Sequence, residues 1–337
     1  MLMLQPKTIL HINVTRIGDT LLATPVIRAM AHAWPEANIT CLGHPGRVEL
    51  IENLPFVRKV GNITKKTAPW QRGWFGPRYD LAVVHNFDEA LVWYALRVAD
   101  KAVAFRQRDE RLNSRMYRCV QRPVLDTVHA VDVQLPLIQS LGLAPDGRQL
   151  SYQVTASEKA AAQQRLHQHG LDARRPLIGL VLESFPTKPY RDWPVEHFVQ
   201  ACQQVSLRYP QAQFILLGGD VTPAKIQAMR TALGERVTVF AGQLSLRESG
   251  AVMSCLDLYL GVDTGPTHLA GALQIPMVAM YHCLHRGYIL APLDHPALRV
   301  LEHPASNEDA SAQRSMAEIS VESVTSSMLE LLATRYG

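Results

Sequence analysis

The sequence predicts an α/β protein built from two successive halves, each a parallel sheet flanked by helices. Three observations carry this. Short apolar runs alternate with helical stretches along the chain, the pattern of strand–helix–strand units. The alternation is used twice, on either side of a polar link, Gly-Leu-Ala-Pro-Asp-Gly-Arg-Gln-Leu-Ser at 142–151. Each half also holds one strand, small-residue turn and helix start rich in Gly, Thr and Asp. The 337 residues suit two domains of about 150 each, and 47% hydrophobic residues are enough for two ordinary cores.

In the first half the expected strands are Thr8–Val14, Ile39–Leu42, Val57–Val60, Leu81–Val84 and Ala102–Ala104. The expected helices are Leu21–Trp34, Glu89–Val98 and His129–Leu141. After the link comes a polar, Gln- and His-rich helix, Ser157–His169. The second half then offers strands at Leu177–Leu182, Gln213–Leu217, Val237–Val239, Leu256–Leu260 and Met277–Met280. Helices fall at Val195–Tyr209, Pro223–Leu233, Ser245–Met253, from His268 onward, and finally at Ile319–Ala333. No internal repeat is visible, only one architecture used twice. Two Rossmann-like halves, with the carboxyl ends of their sheets facing a central cleft, are the expected fold.

The most informative stretch is Gly261-Val262-Asp263-Thr264-Gly265-Pro266-Thr267-His268-Leu269-Ala270. An apolar strand leads into it and a helix leads out. Turn amides and the positive helix end then face one spot, which makes an anion site. Thr264 and Thr267 either cap the helix or donate hydroxyls to phosphate. Its counterpart is Arg16-Ile17-Gly18-Asp19-Thr20-Leu21, in the first strand-to-helix turn, where open α/β sheets bind ligands. From the residues alone, Asp19 is either a helix N-cap or a functional carboxylate, and Arg16 either a loop charge or a ligand contact. No G-x-G-x-x-G follows the strand, which argues against a dehydrogenase.

Five cysteines without paired spacing give neither a zinc pattern nor a disulfide framework and suit a reducing compartment. No apolar run is long enough to span a bilayer, and the amino terminus lacks a signal-peptide pattern, so a cytoplasmic protein is expected. Net charge is +4, unevenly placed. Arg97, Lys101, Arg106, Arg108, Arg111, Arg115, Arg118 and Arg122 form one basic series, preceded by Lys65, Lys66, Arg72 and Arg78 among aromatic residues. Such a mixture suits nucleic acid, an anionic lipid surface, an acidic ligand or a merely solvated helix face. No recognised nucleic-acid motif accompanies it, and no nucleic-acid partner is expected.

Taken in order, these motifs resemble the bacterial heptosyltransferases of glycosyltransferase family 9, which move heptose from ADP-heptose to the inner core of lipopolysaccharide. The series runs from Arg16-Ile17-Gly18-Asp19-Thr20-Leu21 through Tyr79-Asp80-Leu81-Ala82-Val83 and His129-Ala130-Val131-Asp132 to Leu141-Gly142-Leu143. Trp193-Pro194 with His197-Phe198, then Leu217-Gly218-Gly219-Asp220, lead to the closing motif at 261–270. The resemblance implies the GT-B architecture, with an acceptor-binding domain at 1–155 and a link and helix at 156–175. A nucleotide-sugar domain at 176–316 follows, and then a helix at 317–337 that such folds often pack back on the first domain.

The resemblance also implies roles. The family's catalytic acidic residue falls on Asp19, as general base of an inverting transfer. Its donor site falls on Asp263, Thr264, Gly265 and His268, with Asp220 placed to hold the adenosine ribose. The family commonly has Lys two residues before the Trp-Pro pair; here Arg191 stands there, with Lys188 close by to share the phosphates. The acceptor, Kdo-lipid A or a heptosylated core, would meet Arg16, Lys65, Lys66, Arg72 and Arg111. Contact with the inner-membrane surface would be transient. No D-x-D motif is evident, and His282, Cys283 and His285 lack a fourth ligand of suggestive spacing. No metal site and no required cofactor are therefore expected, a divalent ion being at most stimulatory. Two departures stand at the cleft: His282-Cys283-Leu284-His285-Arg286-Gly287 replaces a Gly-Pro-Thr-type loop, and Val84-His85-Asn86-Phe87-Asp88 lacks a Gln-Gly pair. They leave open a GT-B transferase with another nucleotide sugar or glycan acceptor; the alternative from another class is a non-catalytic nucleotide-sugar-binding protein, against which the presence of Asp19 argues.

Overall fold

The computed structural model describes residues 4–71 and 77–336. Arg72 lies outside them. The chain divides into two compact units, Met1–Gln153 and Val154–Gly337.

In unit one the order is β1 (Thr8–Asn13), α1 (Ile17–Leu22), α2 (Thr24–Ala33), β2 (Asn38–Gly43), β3 (Lys59–Asn62), β4 (Leu81–Val84) and α3 (Glu89–Val98). Then come β5 (Ala102–Phe105), α4 (Glu110–Asn113), β6 (Arg118–Val120) and α5 (Pro136–Gln139). The strands form one parallel sheet ordered β3-β2-β1-β4-β5-β6. The four residues of β4 and the four of β5 are all buried, as expected of strands covered on both faces.

Unit two runs α6 (Ala156–Gln168), β7 (Leu177–Val181), α7 (Val195–Arg208), β8 (Gln213–Leu216), α8 (Pro223–Leu233), β9 (Val237–Val239) and α9 (Leu246–Met253). It continues with β10 (Leu258–Val262), α10 (Gly265–Ala272), β11 (Met277–Tyr281), α11 (Gly287–Leu290), β12 (Leu298–Glu302) and α12 (Val321–Tyr336). Its sheet, ordered β12-β11-β10-β7-β8-β9, is again wholly parallel. Counted within the unit, this is the strand order of unit one. Helix α12 packs on α7 and on β10–β12 of its own unit. There Val324, Met328, Leu331 and Leu332 join the core built around Trp193 and Phe198.

In both sheets the order reverses between the first and fourth strands: β1 beside β4, and β7 beside β10. The loops leaving those strands diverge there, which opens a crevice at the carboxyl edge.

The structure moves several expected boundaries. The helix expected at Leu21–Trp34 is two helices, because Pro25 has no N–H for the carbonyl of Leu21. Thr24 Oγ1 donates to that carbonyl instead, at 2.7 Å. Helix α1 starts at Ile17, so Asp19 lies inside its first turn rather than in the preceding loop. Arg16 occupies the N-cap position, so the capping reading of Asp19 does not hold. The helix expected at His129–Leu141 shortens to α5, which begins at Pro136. The strand expected at Leu256–Leu260 slides to Leu258–Val262, since Cys255 and Leu256 close the turn after α9 by donating to Val252 and Met253. The helix expected from His268 begins at Gly265.

Candidate active site

In unit two, β10 carries the chain into Asp263 and Thr264, and α10 starts at once. The small Gly265 and the pre-set φ of Pro266 favour a helix start. Thr264 is the N-cap residue, but its side chain makes no capping bond. Its hydroxyl turns back to the carbonyl of Val262 at 3.2 Å. Thr267 Oγ1 reaches the same carbonyl at 2.5 Å and pairs with the buried Tyr259 hydroxyl at 2.9 Å. The two threonines are therefore anchors of the turn rather than caps, and the positive helix end is directed outward from it.

Asp263 is the electrostatic centre. Arg191, from the 3-10 turn Pro189–Arg191, donates through Nη2 to both the Asp263 carboxylate and its main-chain carbonyl. Arg191 is only 5% exposed. His268 Nε2 stands 3.6 Å from the other carboxylate oxygen. Burial pushes the Asp263 carboxyl up, but His268 and the Arg191 guanidinium outweigh it and hold it below its ordinary value. An ion pair this buried is expensive to desolvate and costly to break.

The segment after β7 is built to present Arg191. Lys225 Nζ bridges Glu183 at 3.1 Å and Asp192 at 2.9 Å. Ser184 N–H donates to Asp192 at 2.7 Å, and Ser184 Oγ to the carbonyl of Lys188 at 2.8 Å. Trp193 is fully buried, with its Nε1 donating to the carbonyl of Ile319 at 3.0 Å. The Trp-Pro pair is thus a core anchor for the loop before it. Lys188 is half-buried, beside His285 and Tyr190.

Asp220 follows β8 in an exposed turn. Gly218 there has φ +103°, and the N–H of Gly242 (φ +71°) donates to its carbonyl at 3.1 Å. A Cβ on Gly242 would stand 2.4 Å from Asp220 Oδ1. Glycine at 242 is what leaves room for this carboxylate.

In unit one the turn after β1 is clamped by Asn86, which accepts from Val14 N–H at 2.8 Å and donates to its carbonyl at 3.0 Å. Arg47 donates to the carbonyl of Thr15 at 3.0 Å. Asp19 is exposed on the first turn of α1, and Arg16 is exposed beside it. Arg122 faces Asp19: burial lowers the Arg122 pKa, and the Asp19 charge works against that. The Arg122 guanidinium lies over Phe87, 4.4 Å from the ring centre, a cation–π contact.

The rest of the basic series is not one face. Arg97 donates to the carbonyls of Ala68 and Gln71, Arg106 pairs with Glu110, Arg115 lies over Trp93 and Arg118 over Tyr117. Arg111 is exposed on α4. Lys65 and Lys66 lie in the exposed turn after β3. Lys66 lines a shallow groove of about 410 Å³ with Pro45, Asn62 and Trp70.

The sequence reading missed Glu183, Asp192 and Lys225 as supports, and did not single out Arg122. Only the apolar run ending at Leu182 marked Glu183 as a strand-end residue. Among the described residues no group of three or more His, Cys, Asp or Glu is placed to share a metal ion. No described helix is long and apolar enough to cross a membrane.

Residues 78–319 match glycosyltransferase family 9 (heptosyltransferase). The chain belongs to that family. As a family 9 member it is a glycosyltransferase, and the matched span holds Asp220, Asp263 and His268. Lipopolysaccharide heptosyltransferase 3 of Escherichia coli is 23% identical over 279 residues, 78% of this chain and 80% of that one. The lipopolysaccharide core heptosyltransferase OpsX of Haemophilus influenzae is 20% identical, over 94% and 89% of the two chains. Among solved structures, a family 9 glycosyltransferase of Veillonella parvula superposes with TM-score 0.83 at 18% identity, covering 99% of both chains. The ADP-heptose lipopolysaccharide heptosyltransferase II of E. coli gives 0.77 at 21% identity, over 98% of this chain and 100% of that one. Both share the GT-B fold of paired Rossmann-like units.

Proposed function

We propose that the chain transfers heptose from ADP-heptose to an anionic acceptor of the lipopolysaccharide inner core, Kdo-lipid A or a heptosylated core. It would work at the cytoplasmic face of the inner membrane, touching that surface transiently. The observation that carries the reading is the Asp263–Arg191–His268 cluster at the start of α10, in a member of a heptosyltransferase family.

In this reading Asp263 meets sugar hydroxyls and Asp220 the ribose. Thr264, Gly265, His268, Lys188 and Arg191 receive the diphosphate. The charge that develops on departing ADP is stabilised by the helix end and the cations, so no divalent ion is required. Asp19 takes the proton of the acceptor hydroxyl as its oxygen attacks the anomeric carbon, and the configuration inverts. Arg16, Lys65, Lys66, Arg72 and Arg111 meet the acceptor's carboxylates and phosphates.

The test is incubation with ADP-heptose and each acceptor lipid, in magnesium and in EDTA, with mass spectrometry of the lipid and NMR of the new anomeric centre. Addition of one heptose with inversion in both buffers is expected. Retention of configuration, or transfer abolished by EDTA, would overturn the mechanism. A second reading keeps the fold and changes the donor; the His282–Gly287 loop beside Lys188 favours it. Tighter binding of UDP or GDP than of ADP would select it.

A further inference from the structure

The turn after β11 is held rigid from both sides. His282 Nδ1 accepts from Leu284 N–H at 3.2 Å, so its Nε2 carries the proton and donates to the carbonyl of Arg314 at 3.0 Å. His285 N–H closes the turn on the carbonyl of His282 at 2.8 Å. Arg286 donates to the carbonyls of His303, at 2.8 Å, and of Ala305. From this fixed turn the His285 ring lies nearly parallel to Tyr190, at 16°. Its Nε2 is 3.0 Å from the Tyr190 hydroxyl and 3.5 Å from Lys188 Nζ.

An ammonium only donates. A hydrogen bond between Lys188 and His285 therefore requires an unprotonated Nε2, and so a neutral ring with its proton on Nδ1. The surroundings keep it so: burial, then the charges of Arg191 and Lys188, push the His285 pKa down to about 4, with Asp263 opposing and His282 adding. A carboxylate in this place would hold Lys188 more firmly but cancel its charge. A neutral imidazole orients the ammonium and leaves its charge available.

We propose that His285 is the positioning residue for Lys188 in the donor site, fixing the ammonium beside the Asp263–Arg191 pair so that it meets the diphosphate of the nucleotide. This rests on the donor-site reading above and gives the chain's own His282–Gly287 loop a task within it. Lys188 touches the ligand; His285 acts through Lys188 and Tyr190.

The experiment is calorimetric titration of the full chain with ADP, at pH 7.5, for Lys188→Met, His285→Phe, His285→Gln, His285→Glu and the double variant Lys188→Met/His285→Phe. Lys188→Met is expected to weaken ADP about tenfold, the worth of one charge-assisted hydrogen bond. His285→Phe should weaken it several-fold, and His285→Gln, which keeps an acceptor near the Nε2 position, should restore most of that loss. His285→Glu should bind more weakly than His285→Phe, because it neutralises Lys188. In the Lys188→Met background, His285→Phe should have no further effect. Equal losses for the Phe, Gln and Glu variants, or additive losses in the double variant, would overturn the inference while leaving the donor site standing. No loss with Lys188→Met would instead strike at the assignment of Lys188 to the donor. Thermal melts of each variant identify any that fail to fold, and the Gln and Glu variants decide if the Phe variant does.

Discussion

Replacing Arg191 with methionine tests the electrostatics of unit two most directly. The side chains of Arg191 and Asp263 are 6% and 7% exposed, so water cannot take over the guanidinium's part. Breaking a buried pair from one side costs about 3–5 kcal/mol, and for a unit of this size that lowers the melting temperature by about 10 °C. The pH dependence is the sharper signature. In the native protein the Asp263 carboxyl is held below its ordinary value. Its contribution to stability is thus present above the ordinary carboxylate pKa of about 3.9 and is lost as pH falls through the depressed folded value. Removing Arg191 leaves only His268 and His285 to oppose burial, and the expected outcome is a folded pKa above the unfolded one. The penalty then grows from pH about 4 upward until the raised pKa is passed. The variant should therefore be much less stable than the parent at pH 7.5 and recover most of the difference near pH 4.5. Urea unfolding at the two pH values, followed by tryptophan fluorescence of the buried Trp193, reads this out. A loss below about 1 kcal/mol, or the same loss at both pH values, would show that the pair is not the buried charge couple described.

Three further outcomes follow from the geometry. Asp19→Asn should lower heptose transfer by about 10²–10⁴-fold while leaving ADP affinity unchanged. It should cost stability only about 0.3–1 kcal/mol, the worth of an acidic residue in a first helical turn; steady-state kinetics with a parallel melt separates the two roles. Gly242→Ala should destabilise by about 1–3 kcal/mol, because a positive φ strains any side chain, and should displace Asp220; weaker binding of adenosine with unchanged binding of pyrophosphate is the expected pattern in calorimetry. Arg335→Ala removes a 3.0 Å contact to Asp257, a carboxylate with a side chain 1% exposed that Arg175 and Leu177 N–H also hold. It should cost about 1–2 kcal/mol, and an unchanged unfolding midpoint in urea would show that α12 needs no such fastening.

The parallel sheets were legible because their central strands are buried on both faces and read as unbroken apolar runs, as Leu81–Val84 and Leu177–Val181 do. Strands β6 and β12 at the sheet edges escaped notice: Arg118 and Cys119 in one, Arg299 and Glu302 in the other, break the apolar run. The first helix was misplaced because Asp at a strand–helix junction so often caps, whereas here the chain turns helical two residues earlier. The strand, turn and helix start around Gly265–His268 were legible from the order of Gly, Pro and Thr between two apolar runs. That Arg191 is locked to Asp263 was not, since the two are far apart in sequence and nothing local marks the pairing. The separate environments of the basic series were not legible for a physical reason: guanidinium groups that stack on Trp93, Tyr117 and Phe87 look, in one dimension, the same as those facing solvent.

The way Thr264 and Thr267 spend their hydroxyls has one more result. Helices α3, α4, α6 and α9 complete their first turn with a capping side chain of their own. Helix α10 gives both candidates to the carbonyl of Val262, below the turn. If the donor diphosphate binds there as proposed, it would finish the opening turn, and ligand and helix cap would be one object. On that proposal, occupancy of the site and order in the first turn of α10 should rise and fall together, and slower amide exchange at Gly265 on adding ADP would be the sign of it.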